Sequence, residues 1–416
     1  MKWFSTTLEE KCTENNAFSD KRGDELTIGE AFGREIYGFG GCFNEIGMKE
    51  VFSLTEEKQT EIFDELFTEK GLRFCYNRIS IGANDFSEDW YSYNDTRYDY
   101  EMKNFSIDRD RAYIIPAIKE AQKRCPDMKF FASPWSPPAW MKYPQACNYG
   151  RLVQTEENLK AYAVYFRKFI EEYGKEGIKI SHLHPQNELM CDQKFPSCQY
   201  SAEEMENFMA NYLIDEIGDL CEIWLGTNCW RHYTNIYNTI LQNEKIRNAV
   251  KGAGFQWSAT EDIALFLEDY PEKEAVHTEC ECGDGNNTID HAMHVFELYR
   301  RSFKGGARAN VYWNMVLKEG GLSTWGWRQN SLFSIKDGEY IKNPEYYCVW
   351  HFAHFVKKGA QMLKTAGAHS TCSAAFKNPD GSSILVTINP YKNEKVITLE
   401  GKNFILKPKS FNTIIF

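Results

Sequence analysis

No window of the 416-residue chain approaches the roughly 20 consecutive apolar residues that a membrane-crossing helix needs. The opening residues Met1 to Glu10 reach acids before any apolar run. They do not read as a secretory leader, so a cytoplasmic protein is expected, or an exported one if a leader has been removed. Clustered Lys and Arg are also missing, and the net charge of -11 argues against a nucleic-acid partner. A glycine-rich phosphate turn after the first strand-like run is absent, which weakens the case for an open doubly wound sheet. There is no nucleophile elbow with a Ser, His and Asp arrangement. Asp284-Gly285-Asn286-Asn287 lacks the bidentate Glu of a calcium loop. His277, Cys280, Glu281 and Cys282 lack the second Cys-x2-Cys element of a zinc framework, so the expectation is no metal and no cofactor. Solenoid-period repeats and low-complexity tracts are absent as well.

Cysteine and aromatic residues, by contrast, are plentiful. The 13 cysteines are odd in number, and Cys75, Cys221 and Cys348 sit inside apolar runs, which suggests reduced, buried thiols. Aromatic residues reach 15% with 11 Trp, enough for both a core and a cleft that stacks the apolar faces of sugars. Strand-like runs alternate with helical ones from about residue 36 to about 358. Eight are expected: Glu35 to Phe39, Phe74 to Ile81, Lys129 to Ser133, Lys179 to His184, Glu222 to Thr227, Gly254 to Ser258, Glu274 to Thr278 and Ala309 to Trp313. Between the third and fourth, Thr155 is placed to cap a helix whose face carries Leu159, Tyr162, Phe166, Phe169, Ile170 and Tyr173, ending at Gly174. A second helix begins near Thr55, with Ile62, Phe63, Leu66 and Phe67 as its apolar set. Eight βα units of this length fit an α/β fold, the (β/α)8 TIM barrel, over residues 31–358. Residues 359–416 read as a small antiparallel β-domain, to which the polar segment 1–30 could add strands.

In such a barrel the functional groups stand at the C-terminal ends of the strands. Glu45, Arg78, Asp85, Trp135, Glu188, Glu279 and Trp313 all fall at or near those ends. Two glutamates closing apolar runs at one mouth, with Asn187 beside one of them, suit glycoside hydrolysis, which needs an acid and a nucleophile across the scissile bond.

Gly38-Phe39-Gly40-Gly41, Arg78 with Ala83-Asn84-Asp85-Phe86-Ser87, Tyr91-Ser92-Tyr93, Ser133 through Lys142, Asn187-Glu188, Thr278-Glu279-Cys280 and Trp313-Asn314 occur in order. From about residue 36 onward this set resembles glycoside hydrolase family 30, the glucosylceramidase-like enzymes. The resemblance implies a barrel joined to a side β-sandwich built from both chain termini. It also implies a retaining mechanism with Glu188 as acid/base and Glu279 as nucleophile, their carboxyls about 5 to 5.5 Å apart. By the same resemblance Arg78 lies beside the nucleophile, Asn187 bonds the sugar 2-hydroxyl, and Trp135 and Trp313 wall the sugar subsite. Gln256-Trp257 stands where a His-Trp pair is usual, and Leu189 where proline is usual. Glu45 stands where an aspartate would grip the outer sugar hydroxyls. Its carboxylate would reach about 1.5 Å further, favouring sugars without a 6-hydroxyl, such as xylose or 6-deoxy sugars.

The expected activity is therefore retaining β-glycosidase action on a non-reducing-end xylo-, fuco- or gluco-configured sugar. Endo-acting β-glucanase or xylanase chemistry of the same family, and a non-catalytic carbohydrate-binding barrel, are the alternatives.

Overall fold

The computed structural model describes residues 1–16, 18–280 and 282–416. Its centre is a parallel barrel. Strand one (Gly38–Phe43), strand two (Tyr76–Ile81), strand three (Lys129–Pro134) and strand four (Ile180–Leu183) pair in sequence. Strand six (Gly252–Gln256), strand seven (Glu274–Cys280) and strand eight (Ala309–Asn314) continue the ladder and return to strand one. Strand five closes the ring in two pieces. Glu222–Ile223 pairs with strand four, and Thr227–Asn228 pairs with strand six.

Alternation along each strand sorts its side chains. Tyr76, Phe131, Val276, Ala309, Val311 and Trp224 form a cluster inside the barrel. The neighbouring residues Ile79, Ile81, Phe130, Ala132 and Tyr312 belong to the larger core under the helices. One inward step further along, Arg78, Ser133, Glu279 and Trp313 reach the C-terminal mouth. The helix Glu156–Lys175 is capped by Thr155, whose hydroxyl accepts from the Asn158 amide, and it buries the expected face while running one residue past Gly174. The helix Glu56–Phe67 buries Ile62, Phe63, Leu66 and Phe67. Each such side chain contributes about 1.5–3 kcal/mol relative to exposure. Among the described residues no helix is long and apolar enough to cross a membrane.

A side β-sandwich completes the fold. In its larger sheet the strand Lys2–Thr6 pairs with Ser410–Ile415, Trp3 opposite Ile414, and Thr27–Phe32 pairs with Gln361–Ala366. Its smaller sheet joins Lys395–Leu399, Lys402–Leu406 and Asp24–Glu25. Trp3, Leu26, Leu385, Ile397, Phe404 and Ile414 fill the space between the two sheets. The other face meets the barrel helices, where the Phe376 ring lies 5.6 Å from that of Phe303.

Three expected strands differ in place, strand six running from Gly252 to Gln256 rather than from Gly254 to Ser258. Strand one begins at Gly38 rather than Glu35, and its glycines permit a close approach: a Cβ on Gly40 would lie 1.7 Å from the Tyr76 carbonyl oxygen. Strand five is interrupted at residues 224–226. A Cβ on Gly226 would lie 2.7 Å from both Cγ and Cδ1 of Leu189, so the interruption makes room for the residue after Glu188. Gly226→Ala should destabilise the fold by about 1–3 kcal/mol through overpacking, and Leu189→Ala in the same chain should recover part of that loss. Thermal melts of the two single variants and the double variant check this; strictly additive losses would show that the two positions do not meet.

Candidate active site

Arg78 is fully buried at the end of strand two, and its guanidinium organises the mouth. Its Nη1 donates to Glu279 Oε2 at 2.6 Å, and its Nη2 donates to Asn187 Oδ1 at 2.7 Å and Ser133 Oγ at 2.8 Å. Trp135 stacks over it, with the guanidinium carbon 4.4 Å from the ring centroid, and Trp313 stacks on Trp135 at 5.2 Å.

Asn187 Oδ1 also accepts from Gln256 Nε2 at 2.8 Å and from Thr227 Oγ1 at 3.2 Å. Three donors converging on one oxygen fix the amide orientation and leave Nδ2 as the group with hydrogens to donate. Gln256 Nε2 reaches Glu279 Oε2 as well, at 3.1 Å. Because Gln256 is neutral, that contact does not change with pH.

Glu188 follows Asn187 in the left-handed region, φ +47°, and its amide donates to Thr227 Oγ1 at 3.3 Å. Trp257, after strand six, is also left-handed at φ +48°. Such non-glycine residues cost about 1–3 kcal/mol each and persist where surrounding contacts enforce them. Trp257 directly follows a break in the ladder register between Phe255 and Gln256, and a second break, between His277 and Cys280, brackets Glu279.

The two glutamates differ in what surrounds them. Burial raises the carboxyl of Glu279, but the charge of Arg78 and its hydrogen bond oppose that effect, helped by the Trp257 indole. Burial pushes Glu188 well above the ordinary carboxylate range, and the charges of Cys191 and Glu279 push it further. The Arg78 charge opposes this only as a minor influence. The proton of the pair therefore resides on Glu188.

Asp85 lies in the same buried group. Its carboxyl is pushed well up by burial and then by the charges of Glu279 and Glu188. Its Oδ2 accepts a long 3.5 Å contact from Gln329 Nε2, while its Oδ1 is buried without a partner. Gln256 Oε1 and Trp313 Nε1 are likewise buried and unpartnered. Buried polar atoms are normally paired, and three such atoms around one mouth suit a ligand rich in hydroxyls.

Glu45 departs from its expected place. Arg109 donates from Nε to Oε1 at 2.9 Å and from Nη2 to Oε2 at 3.1 Å, and the Glu88 amide donates to Oε2 at 2.9 Å. Oε1 is thus held by Arg109, and Oε2 by Arg109 and by the loop that carries Asp85. The acid with an unpartnered oxygen at the mouth is Asp85. The residues of the weak metal pattern diverge: His277 Nδ1 lies 2.5 Å from Asn310 Oδ1 in the shell, whereas Cys282 Sγ faces Glu279 Oε1 at 4.0 Å. Glu281 lies outside the described residues.

Beyond Glu188 opens a cavity of about 290 Å³ lined by Cys191, Phe195, Cys229, Trp230, Trp257, Trp325 and Trp327, among others. Sequence reasoning missed Thr227, Cys229, Trp230 and the Trp325-Gly326-Trp327 pair. The paired tryptophans in a loop after strand eight were the available signal. The loop after Leu189 is pinned by Lys142, whose ammonium donates to Ser136 Oγ at 3.0 Å, to the Cys147 carbonyl at 2.9 Å and to the Ser197 carbonyl at 2.6 Å.

Residues 36–219 match the family model described as the glycosyl hydrolase family 30 TIM-barrel domain. Over these residues the chain is similar to glycoside hydrolase family 30. Similar proteins include putative glucosylceramidase 1 of Caenorhabditis elegans, 28% identical over 392 residues, covering 85% of this chain and 73% of that protein. Endo-1,6-beta-D-glucanase BGN16.3 of Trichoderma harzianum is 25% identical, covering 88% and 80%. The solved endo-beta1,6-glucanase BT3312 superposes with a TM-score of 0.86 at 25% identity, over 100% of this chain and 98% of that one. SrfJ from Salmonella typhimurium shares the fold, with a TM-score of 0.88 at 24% identity over 100% and 99%. The chain is a glycoside hydrolase, with a carbohydrate substrate.

Glu188 binds its proton more tightly when folded than when unfolded. Its contribution to stability is therefore complete at low pH and is lost as pH rises above the ordinary carboxylate value of 4.5. Glu188→Gln should melt higher than the parent by the equivalent of about 0.5–2 kcal/mol. That gap should widen between about pH 5 and about pH 8, as calorimetric melts would show; a gap independent of pH would place the proton elsewhere.

Proposed function

We propose that this family 30 enzyme hydrolyses a β-linked sugar from a non-reducing end by double displacement, with Glu279 as nucleophile and Glu188 as acid/base. The observation that carries this reading is the unequal electrostatics of two buried carboxyls at one mouth: Arg78 pairs with Glu279, and Glu188 has no cation of its own. Glu279, held ionised, attacks the anomeric carbon while Glu188 protonates the departing oxygen. Once the glycosyl-enzyme forms, the Glu279 charge is gone and Glu188 loses one cause of its raised pKa, so it can take a proton from water. Asn187 Nδ2 is the donor for the sugar 2-hydroxyl, a contact that strengthens as the oxocarbenium ion develops. Asp85 Oδ1 is the acceptor for an outer hydroxyl.

With Glu45 drawn onto Arg109, the basis for excluding a 6-hydroxyl falls away, and a gluco-configured sugar is favoured. On aryl β-glucoside, β-xyloside and β-fucoside, the largest kcat/KM should belong to the glucoside. Dominance of the xyloside would restore the shortened pocket.

Glu279→Ala should abolish turnover of every substrate. Glu188→Ala should keep appreciable activity on aryl glycosides whose leaving group needs no protonation, and azide should rescue it to a β-configured product. Azide rescue of Glu279→Ala to an α-configured product would complete the assignment; the opposite stereochemistry would mean that the roles are exchanged.

A second reading, endo-action on a β-1,6-linked glucan, is favoured by the tryptophan-lined cavity beyond Glu188 and by the similarity to endo-1,6-glucanases. Oligosaccharides among the early products from such a glucan would support it, whereas release of monosaccharide alone would support exo-action.

A further inference from the structure

The donor cluster beside the acid/base is not used by glycoside chemistry. Cys191 follows Glu188 by three residues in a turn closed by the Cys191 amide donating to the Glu188 carbonyl at 2.8 Å. Cys229 comes from the end of strand five, brought alongside by the bridge between Asn187 and Thr227. The two Sγ atoms lie 3.8 Å apart, and these sulfurs together with a Glu188 carboxylate oxygen all fall within 4.8 Å of one another.

We propose that Glu188, Cys191 and Cys229 form a binding site for one thiophilic divalent cation, of the Zn²⁺ or Cd²⁺ class, whose binding reversibly switches off hydrolysis. A tetrahedral ion with metal–sulfur bonds of about 2.3 Å holds two sulfurs about 3.8 Å apart. The thiols already have that separation, so two ligands need little movement. A disulfide would instead require the sulfurs to close to about 2.05 Å. All three donors line the cavity of about 290 Å³ beyond the acid/base, which supplies a route from solvent and room for a fourth ligand. The donor set of two thiolates and a carboxylate selects zinc-like ions over Mg²⁺ or Ca²⁺.

Binding displaces the protons of both thiols and of Glu188. A carboxylate bound to a cation has no proton to give the leaving group and does not act as base toward water, so both half-reactions stop. The site would be missed by a search for Cys-x2-Cys pairs, because its cysteines stand 38 positions apart on two loops.

The test uses the full chain, anaerobically reduced and freed of reductant, so that any loss of activity cannot be oxidation. Cd²⁺ is titrated while the ultraviolet thiolate-to-metal charge-transfer band and turnover of an aryl β-glycoside are followed. The band and the loss of turnover should saturate together at one equivalent, and a chelator should reverse both. Cys229→Ser and Cys191→Ser should each lose the band. Inhibition of each variant, scored against its own activity, should weaken by more than about 100-fold, since loss of a ligand exceeds the loss of an outer partner. Cd²⁺ should also raise the melting temperature of the parent but not of Cys229→Ser. Glu188→Gln keeps both thiols and should show the band at weaker affinity, which serves if a cysteine variant fails to fold. Absence of the band in the parent, or a band and inhibition unchanged in both cysteine variants, would overturn the site. The band reports binding without turnover, so its outcome stands apart from that of the glycosidase reading.

Discussion

A guanidinium with no exposure to solvent is the constraint around which the barrel mouth is arranged. The idealised cost of moving such a charge from water into the protein interior is of order 20 kcal/mol, recovered only by a partner of opposite sign and by filled hydrogen bonds. Arg78 obtains both: Glu279 supplies the charge, Ser133 and Asn187 supply acceptors, and Trp135 covers the flat face. Arg78 opposes the burial that raises the Glu279 carboxyl. A second buried carboxyl nearby, Glu188, has no equal compensation and is raised further. The asymmetry between Glu279 and Glu188, on which the proposed roles rest, thus follows from where one cation sits.

Local strain and unfilled hydrogen bonds gather at the same place. Glu188 and Trp257 adopt left-handed backbone conformations, and unpartnered atoms of Asp85, Gln256 and Trp313 lie in the same region. Each is unfavourable in the free protein, and the unpartnered atoms are groups that a polyhydroxylated ligand can satisfy. The barrel below is packed by Tyr76, Phe131 and Trp224, so the cost is borne by a well-filled scaffold. Stability and activity draw on different layers of the same strands.

Much of this was legible in the sequence because it is periodic or local. The eight strand-like runs and the glutamates closing two of them follow from alternation and spacing, and the capped helix after Thr155 follows from its end signals. Strand five was read as one run because Trp224 and Leu225 are as apolar as any strand interior. Gly226 in its interruption packs against the side chain of Leu189, which comes from another strand end. Glu45 was assigned to the sugar because Arg109, 64 positions away, gives no local hint of reaching it. Cys191 and Cys229 meet only because strands four and five close the ring. What escaped the sequence is contact between loops, which has no period.

The side sheet carries one further consequence. Its strand Lys2–Thr6 lies between Thr13–Glu14 and Ser410–Ile415. During synthesis the early strand leaves the ribosome long before its partner exists. Throughout translation of the barrel it offers an open edge, with the apolar Trp3 awaiting Phe404 and Ile414. The barrel can therefore form while the side sheet cannot. Any delay between the two leaves an unpaired strand edge that other chains can extend, and the risk of misassembly is concentrated in the interval between translation of the first and last of these strands.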